Sequence, residues 1–91
     1  MSDECKIGET DQFSKKLESK KFNHLRKKLY DYVYPILKIE PIFSPNTKKL
    51  KGEFENIFRY RIGNYRLFYL IEEESKTIIF LDINQRKGVY R

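Results

Sequence analysis

The residue pattern predicts an α+β fold: an N-terminal two-helix layer packed on one face of an antiparallel sheet of three to four strands. Three observations carry that expectation. Apolar residues recur at helical spacing through residues 10–36, and they alternate at strand spacing from residue 57 onward. A Gly-Asn pair separates two of the alternating runs, which marks a hairpin.

The elements follow in chain order. Residues 4–9 read as a short first strand. Thr10 or Asp11 caps a first helix, with Phe13 and Leu17 on one face at i, i+4. Phe22, Leu25, Leu29, Tyr32, Val33 and Ile36 define the apolar stripe of a second helix. Lys20, Lys21, Arg26, Lys27 and Lys28 surround that stripe, and Pro35 is expected to kink the helix near its end. Tyr32 reads as core, whereas Tyr30 and Tyr34 read as a docking surface for a partner helix. Residues 40–47 (EPIFSPNT) read as a loop, followed by the basic KKLKG. In residues 57–62, Phe58, Tyr60 and Ile62 share one face and Arg59 and Arg61 the other. Gly63-Asn64 turns the chain into a strand over Tyr65–Ile71, the charged EEESK turns it again, and TIIFLDI forms the last strand. Short loops make adjacent strands pair. Leu67, Tyr69 and Ile71 then face the helices, and Arg66 joins Arg59 and Arg61 on the open face.

Ninety-one residues suffice for one domain, 1–91. Such a domain buries about 60–65% of its unfolded surface, so it is expected to be marginal alone or helped by a partner. A composition 40% hydrophobic, 15% aromatic and 35% charged is globular rather than disordered. The net charge of +6 points to acidic partners such as nucleic acid or an acidic protein. Cys5 is the single cysteine, which excludes an internal disulfide and suits a reducing cytoplasm. MSDECKIGET has no apolar run, so no signal peptide is expected, and no stretch reaches the ~20 apolar residues of a membrane span. Cys5 and His24 are the only soft ligands, so neither a metal nor another cofactor is expected. Cys5 reads as inert and His24 as merely exposed.

Arginine carries the functional signal. Arg59, Arg61, Arg66 and Arg86 lie within or just beyond the three C-terminal strands. Arginine is costly to bury and undistinguished in strands, but its planar, always-charged fork suits phosphate. A solvated face with cross-strand ion pairs is the plainer reading, yet acidic residues near the hairpin are few (Glu53 and Glu55 precede it).

From Lys48 to Arg91 the pieces KKLKG, RYRIGNYRLFYLI, an acidic turn, an apolar strand and QRKGVYR resemble, in order and spacing, the RelE/ParE superfamily of type II toxins. That resemblance implies a RelE-like fold, two helices against a twisted antiparallel sheet, and an acidic antitoxin that wraps the toxin. RelE-like members cut mRNA in the ribosomal decoding site, and ParE-like members poison DNA gyrase. The resemblance implies a ribosome-dependent mRNA endonuclease here, working by metal-free 2′-OH attack to leave a 2′,3′-cyclic phosphate. By residue-wise carry-over, Arg66 and Arg86 bind and neutralise the phosphate, and Tyr90 stacks on a base or passes a proton. Arg59, Arg61, Lys48, Lys49, Lys51 and Lys87 would hold RNA.

Two departures stand out. The best-studied RelE nucleases carry lysines where Arg59 and Arg61 fall, and many relatives with arginines there show a histidine where this chain has Gln85. Arginine holds its proton too tightly to act as a base. Lys48, Lys49, Lys51, Lys87, Tyr90 or ribosomal RNA remain as acceptors, so strong nuclease activity away from the ribosome is not expected. The alternatives are a ParE-like gyrase inhibitor without enzymatic chemistry and an inactive member that only binds its antitoxin.

Overall fold

A computed structural model describes residues 4–42, 46–49 and 56–85. Strand β1 (Lys6–Glu9) leads into α1 (Asp11–Glu18). The Thr10 hydroxyl accepts the Phe13 N–H at 3.1 Å and so caps the helix. Phe13 and Leu17 are buried as the i, i+4 spacing requires.

The second helical rod is segmented. A 3-10 turn (Asn23–Leu25) passes into α2 (Arg26–Lys28), a π turn (Leu29–Val33) and α3 (Tyr34–Ile39). The Tyr34 N–H bonds to Leu29 O, the i→i−5 contact that defines the wide turn. Pro35 follows in the first turn of α3, where its missing N–H is tolerated. The disturbance expected near the end of the helix is thus a π turn ahead of the proline.

That turn corrects three expectations. Inward positions fall at steps of four (Leu25, Leu29, Val33 and Leu37), all buried. Tyr32 is rotated outward and 65% exposed rather than core, and Ile36 is 42% exposed. Tyr34 is buried instead of offering a docking surface, stacked on Phe80 with ring centroids 4.6 Å apart. Its hydroxyl donates to Glu9 Oε2 at 2.8 Å. Tyr30 is exposed, as expected.

Among the described residues the sheet has five strands rather than three to four, side by side as β1, β5 (Thr77–Gln85), β4 (Tyr65–Glu72), β3 (Ile57–Ile62) and β2 (Thr47–Lys49), and is mixed rather than antiparallel throughout. β1 pairs parallel to β5 (Thr77–Gln85), made possible by the helices that intervene in sequence. β2 (Thr47–Lys49) was read as loop and basic turn. It pairs with Phe58–Tyr60 of β3 (Ile57–Ile62) as a short edge strand bearing two exposed lysines, which guards the edge. β3 turns into β4 (Tyr65–Glu72) through Gly63 and Asn64. Gly63 takes φ +55° while Asn64 keeps a negative φ, as in a II′ hairpin turn.

Phe58, Tyr60, Ile62, Leu67, Tyr69 and Ile71 all face the helices and are buried. On β5 the buried positions are Ile78, Phe80 and Ile83. The step of three reflects a bulge: Tyr69 pairs with Phe80 but Phe68 with Asp82, so Leu81 is extra. Phe13, Tyr34 and Tyr69 meet around Phe80 at centroid distances of 5.6, 4.6 and 5.6 Å. Each large apolar side chain buried there contributes about 1.5–3 kcal/mol.

Candidate nucleic-acid interface

Alternation along β3 and β4 sends every second residue away from the helices, and the register then decides which of those meet. Arg61 lies directly opposite Arg66, and Arg66 in turn lies opposite Asn84. Arg59 lies opposite Phe68 on one side and Lys48 on the other, and Phe68 opposite Asp82. Two rows therefore cross the open face: Arg61–Arg66–Asn84, and Lys48–Arg59–Phe68–Asp82. The sheet brings Arg59, Arg61 and Arg66 onto one surface, as the alternation predicted, and β2 adds Lys48 to it.

Like charges directly opposite one another destabilise a sheet. The Arg61/Arg66 pair is therefore an unfavourable choice for folding alone and a favourable one for an anion that bridges both forks. Arg61 is exposed and Arg66 half-buried. Neither makes an ion pair with a described carboxylate. Arg59 is half-buried and engaged by its surroundings. Arg61 also lines an open cleft of 690 Å³, with Lys28, Tyr32, Asn46 and Gly63.

Asp82 is the carboxylate on this face that lies near the arginine rows, and it is occupied. Lys16 of α1 donates through Nζ to Asp82 Oδ1 at 2.8 Å and to Asn84 Oδ1 at 2.7 Å. The Ile83 N–H also donates to Asp82 Oδ1, at 2.8 Å. Among the described residues no group of three His, Cys, Asp or Glu is placed to hold a metal, and no helix is long and apolar enough to cross a membrane.

Residues 10–90 match the profile of the ParE toxin of the type II toxin–antitoxin system parDE. This chain belongs to the RelE/ParE superfamily of type II toxins. Toxin RelG of Mycobacterium tuberculosis is 39% identical over 44 residues, 48% of this chain and 51% of that protein. The chain spans about half the length of the curated relatives it matches. The fold agrees with the toxin–antitoxin complex RelBE2 of M. tuberculosis at TM-score 0.75 and 25% identity, covering 91% of this chain and 99% of that one. It agrees with the archaeal RelE–RelB complex of Pyrococcus horikoshii at TM-score 0.72 and 27% identity, covering 93% and 98%.

In this chain, Lys48 and Lys49 sit exposed on β2; Lys48 is opposite Arg59, and Lys49 is opposite the buried Phe58. Arg86, Lys87, Tyr90 and Lys51 lie outside the described residues. No periodicity or motif in the sequence signals that Lys16 and Asp82, 66 positions apart, meet. The sequence alone predicts His24 to be merely exposed. His24 is exposed, but its Nε2 lies 3.2 Å from the Tyr65 hydroxyl and its ring stands edge-on to the Tyr65 ring at 5.6 Å. Tyr65 follows the β3–β4 turn and immediately precedes Arg66, so this contact ties the helix layer to the hairpin.

Proposed function

We propose that this chain is the toxin of a type II pair and acts in the cytoplasm as a ribosome-dependent mRNA endonuclease. The observation that carries this reading is the opposed Arg61/Arg66 pair, two guanidinium groups free of described carboxylates on the uncovered face. Metal-free RNA cleavage needs the 2′-OH deprotonated, in-line attack on the adjacent phosphorus, neutralisation of the charge gathering on the phosphoryl oxygens, and protonation of the 5′ leaving oxygen. Arg66, with Arg86, neutralises that charge. Arg61 and Arg59 hold the flanking backbone, together with Lys48, Lys51 and Lys87, whereas Lys49, opposite the helix-facing Phe58, projects from the other side of the sheet. Tyr90 stacks on a base or relays a proton. The products are a 2′,3′-cyclic phosphate and a 5′-hydroxyl end.

The partner in the resting state is an acidic antitoxin. Similar folds were solved as complexes named RelBE2 and RelE–RelB, and the +6 charge of this chain favours rapid association with an acidic protein. Expression with and without the neighbouring acidic reading frame, followed by mapping of mRNA 5′ ends, tests both parts. Growth arrest with new ends at decoding-site positions, abolished by the neighbour, supports the reading. Arrest without new mRNA ends contradicts it.

One observation favours a second reading, inhibition of DNA gyrase: the profile matched over residues 10–90 is that of ParE toxins. Accumulation of cleaved DNA in the presence of gyrase, with mRNA intact, selects it.

A further inference from the structure

We propose that Lys16 is a positioning residue that keeps Asp82 away from Arg66 and so leaves the Arg66 guanidinium open to phosphate. This rests on the endonuclease reading of the arginine face. Asn84 is directly opposite Arg66, and Asp82 is opposite Phe68, two residues further along β4. Asp82 is therefore the diagonal cross-strand neighbour of Arg66, at the ~7–8 Å spacing that long side chains bridge. An uncommitted Asp82 would be the natural intramolecular partner for the Arg66 fork.

One ammonium group prevents this. Lys16 Nζ takes Asp82 Oδ1 at 2.8 Å and, at the same time, Asn84 Oδ1 at 2.7 Å. The Ile83 N–H adds a second bond to the same carboxylate oxygen, and Asn84 Nδ2 lies 3.4 Å from Oδ2. Asn84, directly opposite Arg66, and Asp82, diagonal to it, are thus both held by Lys16 of α1. The buried Phe13 and Leu17 fix that helix against the sheet, and Lys16 Nζ stands 5.6 Å from the centre of the Phe22 ring. The Lys16 and Asp82 side chains are 30% and 31% exposed, so as a bare ion pair they add little to stability. What the contact changes is which partner Asp82 has.

The test is a cycle of Lys16→Met, Asp82→Asn and the double variant, assayed for mRNA cleavage on programmed ribosomes. Methionine keeps the aliphatic stem without the ammonium. Cleavage is expected to fall about tenfold in Lys16→Met, to be little changed in Asp82→Asn, and to return in the double variant. A purely structural role for Lys16 would leave the double variant as impaired as Lys16→Met, which overturns the proposal, as does full activity of Lys16→Met. A crystal structure of Lys16→Met reads the rearrangement without reference to activity. An Arg66–Asp82 ion pair within about 4 Å is expected, and the two groups still apart contradicts it. Cleavage absent from the unsubstituted chain overturns the endonuclease reading, and with it this role for Lys16.

Discussion

Arg66 and Arg61 concentrate the balance between folding and function. Removing either fork relieves a repulsive cross-strand pair, so Arg61→Ala is expected to stabilise the fold by about 0.2–1 kcal/mol, measured as a higher urea midpoint. Arg66→Ala is expected to lower mRNA cleavage about 100-fold and relieve growth arrest, with the fold retained by circular dichroism. Full arrest by Arg66→Ala removes it from the site. Tyr69 supplies a prediction about pH. Burial pushes its phenol up to about 12, outweighing the Thr47 contact, which acts in the other direction. Its hydroxyl donates to Pro41 O at 2.6 Å. The raised value favours the protonated, folded form, so this contribution is whole below pH ~10 and is lost as pH climbs from 10 through 12. Over that window the unsubstituted chain should lose about 2–3 kcal/mol more than Tyr69→Phe, seen in paired denaturation curves. The arginine face was legible in the sequence because strand alternation alone assigns faces. The Lys16–Asp82 contact was not, because only the folded packing of α1 against β5 joins residues so far apart.

At the scale of elements, strict periodicity made the first helix and the β3–β4 hairpin readable, down to the pairing of Ile62 with Tyr65 across the turn. Irregular geometry hid the rest. The π turn advances the chain differently from an α-helical turn, so Tyr32 moved from expected core to surface and Tyr34 moved inward. The bulge at Leu81 broke the alternation that would place every β5 residue. The first strand, expected over residues 4–9, forms over Lys6–Glu9, whereas β2 is too short to announce itself and is fixed by the strand it joins. Gly63 is the point where the hairpin depends on one residue type. Gly63→Ala puts a side chain at φ +55°, and thermal unfolding should show a loss of about 1 kcal/mol or more. Unchanged stability would mean that the turn relaxes to another type.

At the scale of the whole molecule, the proposed function requires that a +6 charge and one cationic sheet face make association with RNA depend on salt. The logarithm of the affinity for single-stranded RNA should fall linearly with the logarithm of salt concentration, and loss of one phosphate-binding arginine should reduce that slope by about 0.7. A slope unaltered in Arg61→Ala would take that residue out of contact with the backbone. The fold alone does not choose between ribosome and gyrase, because one scaffold carries both activities in this superfamily. On the proposed reading, the choice lies in what the two opposed guanidinium groups grip. The most direct measurement is 5′-end mapping of mRNA after the purified protein is added to programmed ribosomes, beside Arg66→Ala. New 5′-hydroxyl ends within the decoding site, abolished by the substitution, are the predicted result. Intact mRNA with translation unimpaired contradicts it.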